Sequence, residues 1–459
     1  MSITRWRHAA LLALTVLALW LLVAPPPGIP PETARAAGLA VFAIGAWAAG
    51  LLPEHVTAVA FFLIAMAFEV ASPQTVFAGF QSAAWWLVFG GLIVGAAVQR
   101  TGLGARLARA LCGRLARSYP GAVATVVIVS IGLAFLMPST MGRLVLLMPI
   151  VLSLADHLGL APGRRGRTGL VLATAAASYL PSTAILPANV PNAVLLGAAD
   201  TLYDVQITYA PYLFLHFPVL GVLKSVVLVW LVCRMFPDEA RMGADEAPPT
   251  PMTRDERRLV AILAASLVLF ATDFLHGVSP AWISLAAGLA CLLPGLDLVP
   301  PKAFAERVNL SALLYVAGIL GLGAVVAESG LGRALSGPLL DTLQPWSGAK
   351  AYDFAVLSGL ATLLGLVATM PGLPAVLSPL SGELAAATGL PLMTILMTQV
   401  VGFSTLLLPY QSPPMVVAMQ IGGTGVRDGA RLCLALAAIT VLVLWPLDYI
   451  WWRLLGYIP

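Results

Sequence analysis

Apolar runs of about 14 to 24 residues recur along all 459 positions of the chain, and a bilayer core takes roughly 20 helical residues per span. The pattern predicts membrane helices near 9–24, 37–52, 56–71, 84–99, 169–199, 212–235, 259–275, 281–298, 310–327, 391–421 and 432–452, eleven in all. Two further runs, 121–157 and 354–388, carry Pro and Gly near their middles, which leaves arms of about 14 to 16 residues, too short to span comfortably. They are expected to be re-entrant helical hairpins, whose non-helical tips are tolerable at membrane depth when buried in protein or facing a water-filled cavity. The fold class is an all-α polytopic membrane protein.

Composition agrees with this reading, because 59% of the residues are hydrophobic, 10% are charged and the mean hydropathy is +0.92. Soluble chains are about a quarter charged. The longest polar interval, 236–258, has 23 residues, well short of the roughly 50 an ordinary domain needs. No attached soluble catalytic domain is expected. The net charge of +4 points to topology rather than to a nucleic-acid partner, since Lys and Arg gather in short loops between apolar runs. With the N-terminus placed in the cytoplasm, nineteen of them fall in cytoplasmic loops and only Arg35, Arg333, Lys350 and Arg453 outside, as the positive-inside rule requires. The C-terminus is then outside. Arg5, Arg7 and a following apolar stretch, with an Ala-x-Ala site after Ala36, also allow a cleaved leader. The preferred reading is a first span.

One segment occurs twice. Residues 182–194 read STAILPANVPNAV and residues 404–416 read STLLLPYQSPPMV, matching at six of 13 positions. TGLG at 101 and SGLG at 329, Met137-Pro138 and Met370-Pro371, and HLGL at 157 and ATGL at 387 follow in the same order. The predicted layout makes this an inverted repeat. Residues 1–120 and 259–353 would form scaffold helices, 121–235 and 354–459 the moving hairpin, broken helix and last helix of each half, and 236–258 a cytoplasmic linker. Proline removes a backbone N–H and clashes with the preceding turn, so Pro187/Pro191 and Pro409/Pro413/Pro414 should split two helices at membrane depth. Broken helices and inverted repeats are the architecture of secondary transporters, with substrate held near the midplane.

Other chemistries find little support. Cys112, Cys233, Cys291 and Cys433 form no C-x-x-C, the five histidines make no H-E-x-x-H, and there is no G-x-x-x-x-G-K-[ST], so no metal site, redox motif, cofactor or nucleotide-driven pump is expected. GGTGVRDG at 422 reads as a turn, and Glu69, Asp200, Asp204 and Asp273 as solvated span ends. Arg143 and Lys224 are the two cations left inside predicted membrane segments. A buried arginine costs several kcal/mol unless it is partnered. Its expected partner is either an internal carboxylate, Glu383 or Asp156, or the transported anion held by the guanidinium fork.

The chain resembles the divalent-anion/sodium symporter family of the ion transporter superfamily. Val190-Pro191-Asn192-Ala193 looks like that family's first break and Ser412-Pro413-Pro414-Met415 like its second, with Met where Asn is expected. The family's Ser-Asn-Thr tip motif falls on Ser139-Thr140-Met141 and Thr369-Met370-Pro371, keeping only one serine. The resemblance implies eleven spans, a homodimer, an elevator motion and sodium at the tips. The expected substrate residues are Ser139, Thr140, Arg143, Asn189, Asn192, Gln411 and Ser412, and the expected ion ligands are Ser139, Thr369, Ser182 and Ser404. The expected protein is an inner-membrane secondary transporter of a small anion such as a dicarboxylate, sulfate or sulfonate, with sodium or protons as coupling ion. The alternative is an ion antiporter or arsenite-type permease, and an intramembrane enzyme ranks below both.

Overall fold

The structure, a computed structural model, describes residues 3–48, 52–107, 118–137, 139–239, 251–331, 334, 349–366 and 370–459. All regular elements among them are helical. The first half comprises α1 (Ile3–Val23), α2 (Pro31–Ala48), α3 (Glu54–Ala67), α4 (Ala83–Thr101), α5 (Tyr119–Leu136), α6 (Thr140–His157), α7 (Arg165–Tyr179), α8 (Val190–Tyr203) and α9 (Tyr209–Met235). The second half holds α10 (Arg254–Ala271), α11 (Pro280–Leu292), α12 (Leu310–Glu328), α13 (Lys350–Leu364), α14 (Gly372–Leu377), α15 (Ser381–Thr388), α16 (Leu392–Phe403), α17 (Pro413–Gly422) and α18 (Val426–Leu454). Six of these (α4, α5, α6, α9, α12 and α18) are long and apolar enough to cross a bilayer. Leu12, Val16, Leu63 and Leu442 remain exposed, as lipid-facing residues can. The molecule is an integral membrane protein.

Helix ends follow local chemistry. Ser118 caps α5 by accepting from the Gly121 N–H at 3.2 Å, and Ser82 caps α4 through Ala84. Thr253 and Glu256 form a reciprocal capping box at the start of α10. Gly423, with φ +62°, ends α17 in a left-handed turn before α18, so the glycine-rich segment at 422 is the expected turn.

The arms of the first hairpin are longer than their sequence suggested. α5 and α6 have 18 residues each, roughly 27 Å at 1.5 Å per residue. Pro149 lies inside α6 without ending it, as prolines in membrane helices can. In the second hairpin Pro379 does interrupt the arm, and a 3-10 turn, Ser378–Leu380, separates α14 from α15. A second departure concerns Asp273, expected to be solvated. It is buried and accepts the backbone N–H of Tyr209, which satisfies an otherwise orphan donor at the start of α9.

α7 lies at the centre of one bundle, packed against α5, α6, α9 and α17, and its small residues Ala173 to Ser178 are all buried. Small side chains let helix backbones approach closely where lipid supplies no hydrophobic drive between helices. The crossing of α4 and α11 uses the same device at Gly90, where any Cβ would collide with the Ser284 carbonyl. α12 is a second centre, packed against α2, α3, α4 and α8.

Candidate functional site

Both predicted breaks exist. α7 ends at Tyr179, two 3-10 turns follow (Pro181–Ala184 and Leu186–Ala188), and α8 restarts after Asn189. α16 ends at Phe403, Pro409–Gln411 forms a 3-10 turn, and α17 restarts after Ser412. The broken backbone is held by its own side chains. Ser182 Oγ donates to the Tyr179 carbonyl at 2.6 Å and Thr183 Oγ1 to Leu180 at 2.7 Å. Ser404 and Thr405 make the same kind of bond to Val401, at 2.9 and 2.8 Å.

A cavity of about 250 Å³ lies where tips and breaks meet. Ser139, Thr140 and Met141 reach it from the first hairpin, Met370 and Pro371 from the second, Pro187, Asn189, Val190 and Pro191 from the first break, and Gln411, Pro413 and Pro414 from the second. Val88 on α4 and Asn309 and Tyr315 at the start of α12 also line it. Three helices, α6, α8 and α17, therefore begin at this cavity. The dipoles of all three and the first-turn N–H groups of α6 and α8 favour a negatively charged occupant, whereas α17 opens with Pro413 and Pro414, which carry no N–H. Among the described lining residues Glu54 is the only charged one, so an anion bound here is met by helix ends and amides.

The sequence-predicted site residues divide into two groups. Ser139, Thr140, Asn189 and Gln411 line the cavity, whereas Arg143, Asn192 and Ser412 do not. Ser139 caps α6, its Oγ accepting from Gly142 N–H at 3.0 Å. Asn189 has its side-chain NH2 buried at the cavity wall beside the Tyr179 phenol. Asn192 faces back into the break and donates to the Ser182 and Ile185 carbonyls at 3.1 and 2.9 Å. Gln411 braces rather than reaches: its Oε1 accepts from Leu407 and Leu408 N–H at 2.7 Å each, and its Nε2 donates to Gly365 at 2.8 Å. Ser412 Oγ is buried without a partner. Ser182 and Ser404 lie behind the cavity wall, and Thr369 falls outside the described residues.

Arg143 is bonded to neither of the internal carboxylates considered for it, Glu383 and Asp156. Fully buried, its guanidinium donates to three main-chain carbonyls: Met137 at the end of α5, Ser178 near the end of α7 at 2.9 Å, and Ala188 in the break at 3.2 Å. Asp156 is paired with Arg167 instead. Lys224, also buried, donates to the carbonyl of Ser404 at the end of α16 and to its Oγ at 3.3 Å. Each broken helix thus meets a side-chain cation at the C-terminal end of its first half, where the dipole is negative. Asp448 on α18 is a further buried ionic group that the sequence reading overlooked. The signal available was an acid flanked by tryptophans in WPLDYIWW.

Fold and site together define a membrane carrier for small anions and not an enzyme. The chain belongs to the divalent-anion/sodium symporter family: the family model described as "Sodium:sulfate symporter transmembrane region" matches residues 4–458. It is 25% identical to the citrate/succinate antiporter of Escherichia coli K12, covering 95% of this chain and 97% of the antiporter. It is 24% identical to dicarboxylate transporter 2.2, chloroplastic, of Arabidopsis thaliana, covering 90% of this chain and 76% of that one. Among solved structures it is similar in fold to the Alcanivorax borkumensis YdaH transporter, with TM-score 0.59, 16% identity, and 99% and 98% of the two chains covered.

Proposed function

We propose that this protein exchanges small dicarboxylates or citrate across the inner membrane without requiring bound sodium. The observation that carries the reading is the cavity at which α6, α8 and α17 all begin, paired with Arg143 and Lys224 on the opposite ends of the broken helices. In broken-helix transporters anionic groups sit at half-helix N-termini while freed carbonyls and half-helix C-terminal ends hold the coupling cation. Here two side-chain cations already engage carbonyls of that kind. A sodium ion added close to either would be repelled strongly at low effective dielectric. The named relatives handle citrate, succinate and dicarboxylates, which fits a site with several N–H donors for two carboxylates.

The remaining architecture follows the same reading. Eleven spans form an inverted repeat, with 1–120 and 259–353 as the scaffold of a homodimer and 121–235 and 354–459 moving as an elevator. The N-terminus is cytoplasmic and the C-terminus outside. The competing reading keeps sodium as coupling ion at Ser139, Thr369, Ser182 and Ser404, and the hydroxyl of Ser404, which also receives Lys224, is the least suited to it. Proteoliposomes loaded with unlabelled succinate, or left empty, and offered labelled succinate, citrate, tartrate or sulfate decide between them. Uptake that needs internal substrate and survives replacement of sodium by choline is expected. Uptake into empty vesicles that depends strictly on a sodium gradient would overturn the proposal.

A further inference from the structure

α9 and α18, the last helix of each half, contain one stretch of π-helix each, Phe217–Leu223 and Thr440–Leu444, and the two stretches touch. π-Segments are rare and concentrate at functional sites. Each is followed closely by a buried charge. Lys224 is the first residue after one stretch and Asp448 the fourth after the other, with exposures of 2% and 0%. The charges are opposite in sign.

Their bonding is unequal. Lys224 is engaged with Ser404 at the second break, whereas neither carboxyl oxygen of Asp448 has a hydrogen-bond partner. The two groups interact electrostatically but make no ion pair within 4.0 Å. A bare carboxylate in a water-excluded site costs several kcal/mol, so Asp448 must hold a proton or draw a cation to itself. Lys224 is the buried cation at the end of the touching stretch, on a flexible four-carbon stem. Beside it a small cavity of about 10 Å³, lined by Leu180, Cys433 and Thr440 among others, approaches the size of a single water. Other titratable groups on elements packed against Asp448 or Lys224 are His216 on α9, whose ring meets Trp452, Asp353 on α13, Cys433, and Tyr449 and Arg453 on α18 itself. His216 places its Nε2 3.4 Å from the Met397 sulfur.

We propose that Asp448 and Lys224 form a proton-binding switch behind the second break. With Asp448 protonated, the ammonium stays on Ser404 and the pair carries one positive charge behind the second break. When the carboxylic O–H bond breaks, the proton passes to water and the electron pair stays on Asp448. The ammonium then moves from the Ser404 carbonyl to the carboxylate, the pair becomes neutral, and the second break loses its compensating charge. Anion exchange is thereby tied to protonation at a site that contacts no substrate. The transport consequence rests on the exchange reading above, while the proton site does not.

Two measurements test this. In proteoliposomes, wild-type exchange should fall with rising pH, approaching about tenfold per pH unit for a single required proton. Asp448→Asn should flatten that slope and keep exchange high at alkaline pH, and Asp448→Glu should restore the slope at a shifted midpoint. Independently of any substrate, infrared difference spectra between acid and alkaline pH should contain a protonated-carboxyl C=O band that Asp448→Asn removes. A wild type that exchanges none of the anions but retains this band would sink the exchange reading and leave the proton site standing. An unchanged band in Asp448→Asn, or a pH slope that His216→Gln abolishes and Asp448→Asn preserves, overturns the switch.

Discussion

The phenol of Tyr179 donates to the carbonyl of Phe403 at 3.0 Å, tying the last residue of α7 to the last residue of α16. The two broken helices, 224 positions apart at this contact, are thus joined at their first-half ends, where each also meets a buried cation. Tyr179 lines the cavity as well, so this bond fixes the spacing of the two half-sites. Tyr179→Phe should leave the Phe403 carbonyl unsatisfied at a cost of about 1–3 kcal/mol. A lower thermal midpoint in detergent, with weaker substrate protection against unfolding, is the expected outcome. An unchanged midpoint would mean that packing alone sets the spacing.

Arg143 clamps three carbonyls from the hairpin and the first break. Arg143→Gln should abolish exchange and destabilise the protein, because two or three buried acceptors lose their donor. Arg143→Lys should recover only part of either, since an ammonium keeps the charge without the planar fork. Full recovery by lysine would show that charge is sufficient and the fork geometry irrelevant.

Asn189 and Asn192, three positions apart, should behave differently. Asn189→Ala removes an amide from the cavity wall and should raise KM with little effect on the thermal midpoint. Asn192→Ala removes two bonds inside the break and should cost about 1–3 kcal/mol of stability. The pattern of KM and melting temperature across the two variants checks the assignment, and a reversed pattern would contradict it.

Glu256 lies outside the membrane helices' apolar stretches, hydrogen-bonded to Arg106 at 2.7 Å and to the Thr253 N–H at 2.7 Å. The Arg106 bond, reinforced by Thr253 and opposed by burial, holds its carboxyl below the usual range. A depressed folded-state pKa contributes stability that is fully present above the unfolded value, about 4.3, and is lost as pH falls through the folded one. The wild type should therefore exceed Glu256→Gln in thermal midpoint at neutral pH by a constant margin. That margin should shrink only below about pH 4.3. A margin that shrinks between neutral and mildly acidic pH would point to another group.

The helical class and the positions of both breaks were determined by the sequence, for a local reason. Apolar runs near bilayer length admit little but helix, and the closely spaced Pro187/Pro191 and Pro409/Pro413/Pro414 each remove several backbone donors at one place and favour a helix restart there. The outcome at Pro149 was not local: α6 runs through it while Pro379 interrupts its own arm, and the difference lies in the surrounding packing. Which polar residues face the cavity was likewise decided in three dimensions. Asn189 stands before the first turn of α8 and Asn192 within it, so one opens to the cavity and the other closes the break. Arg143 could be recognised in sequence as a buried cation needing partners, but its three carbonyls come from segments up to 45 residues away. The signal at Asp448, an acid among tryptophans, was weaker, because a single acid near a span end is ordinarily solvated. Only the crossing of α9 and α18 buries it within the field of Lys224.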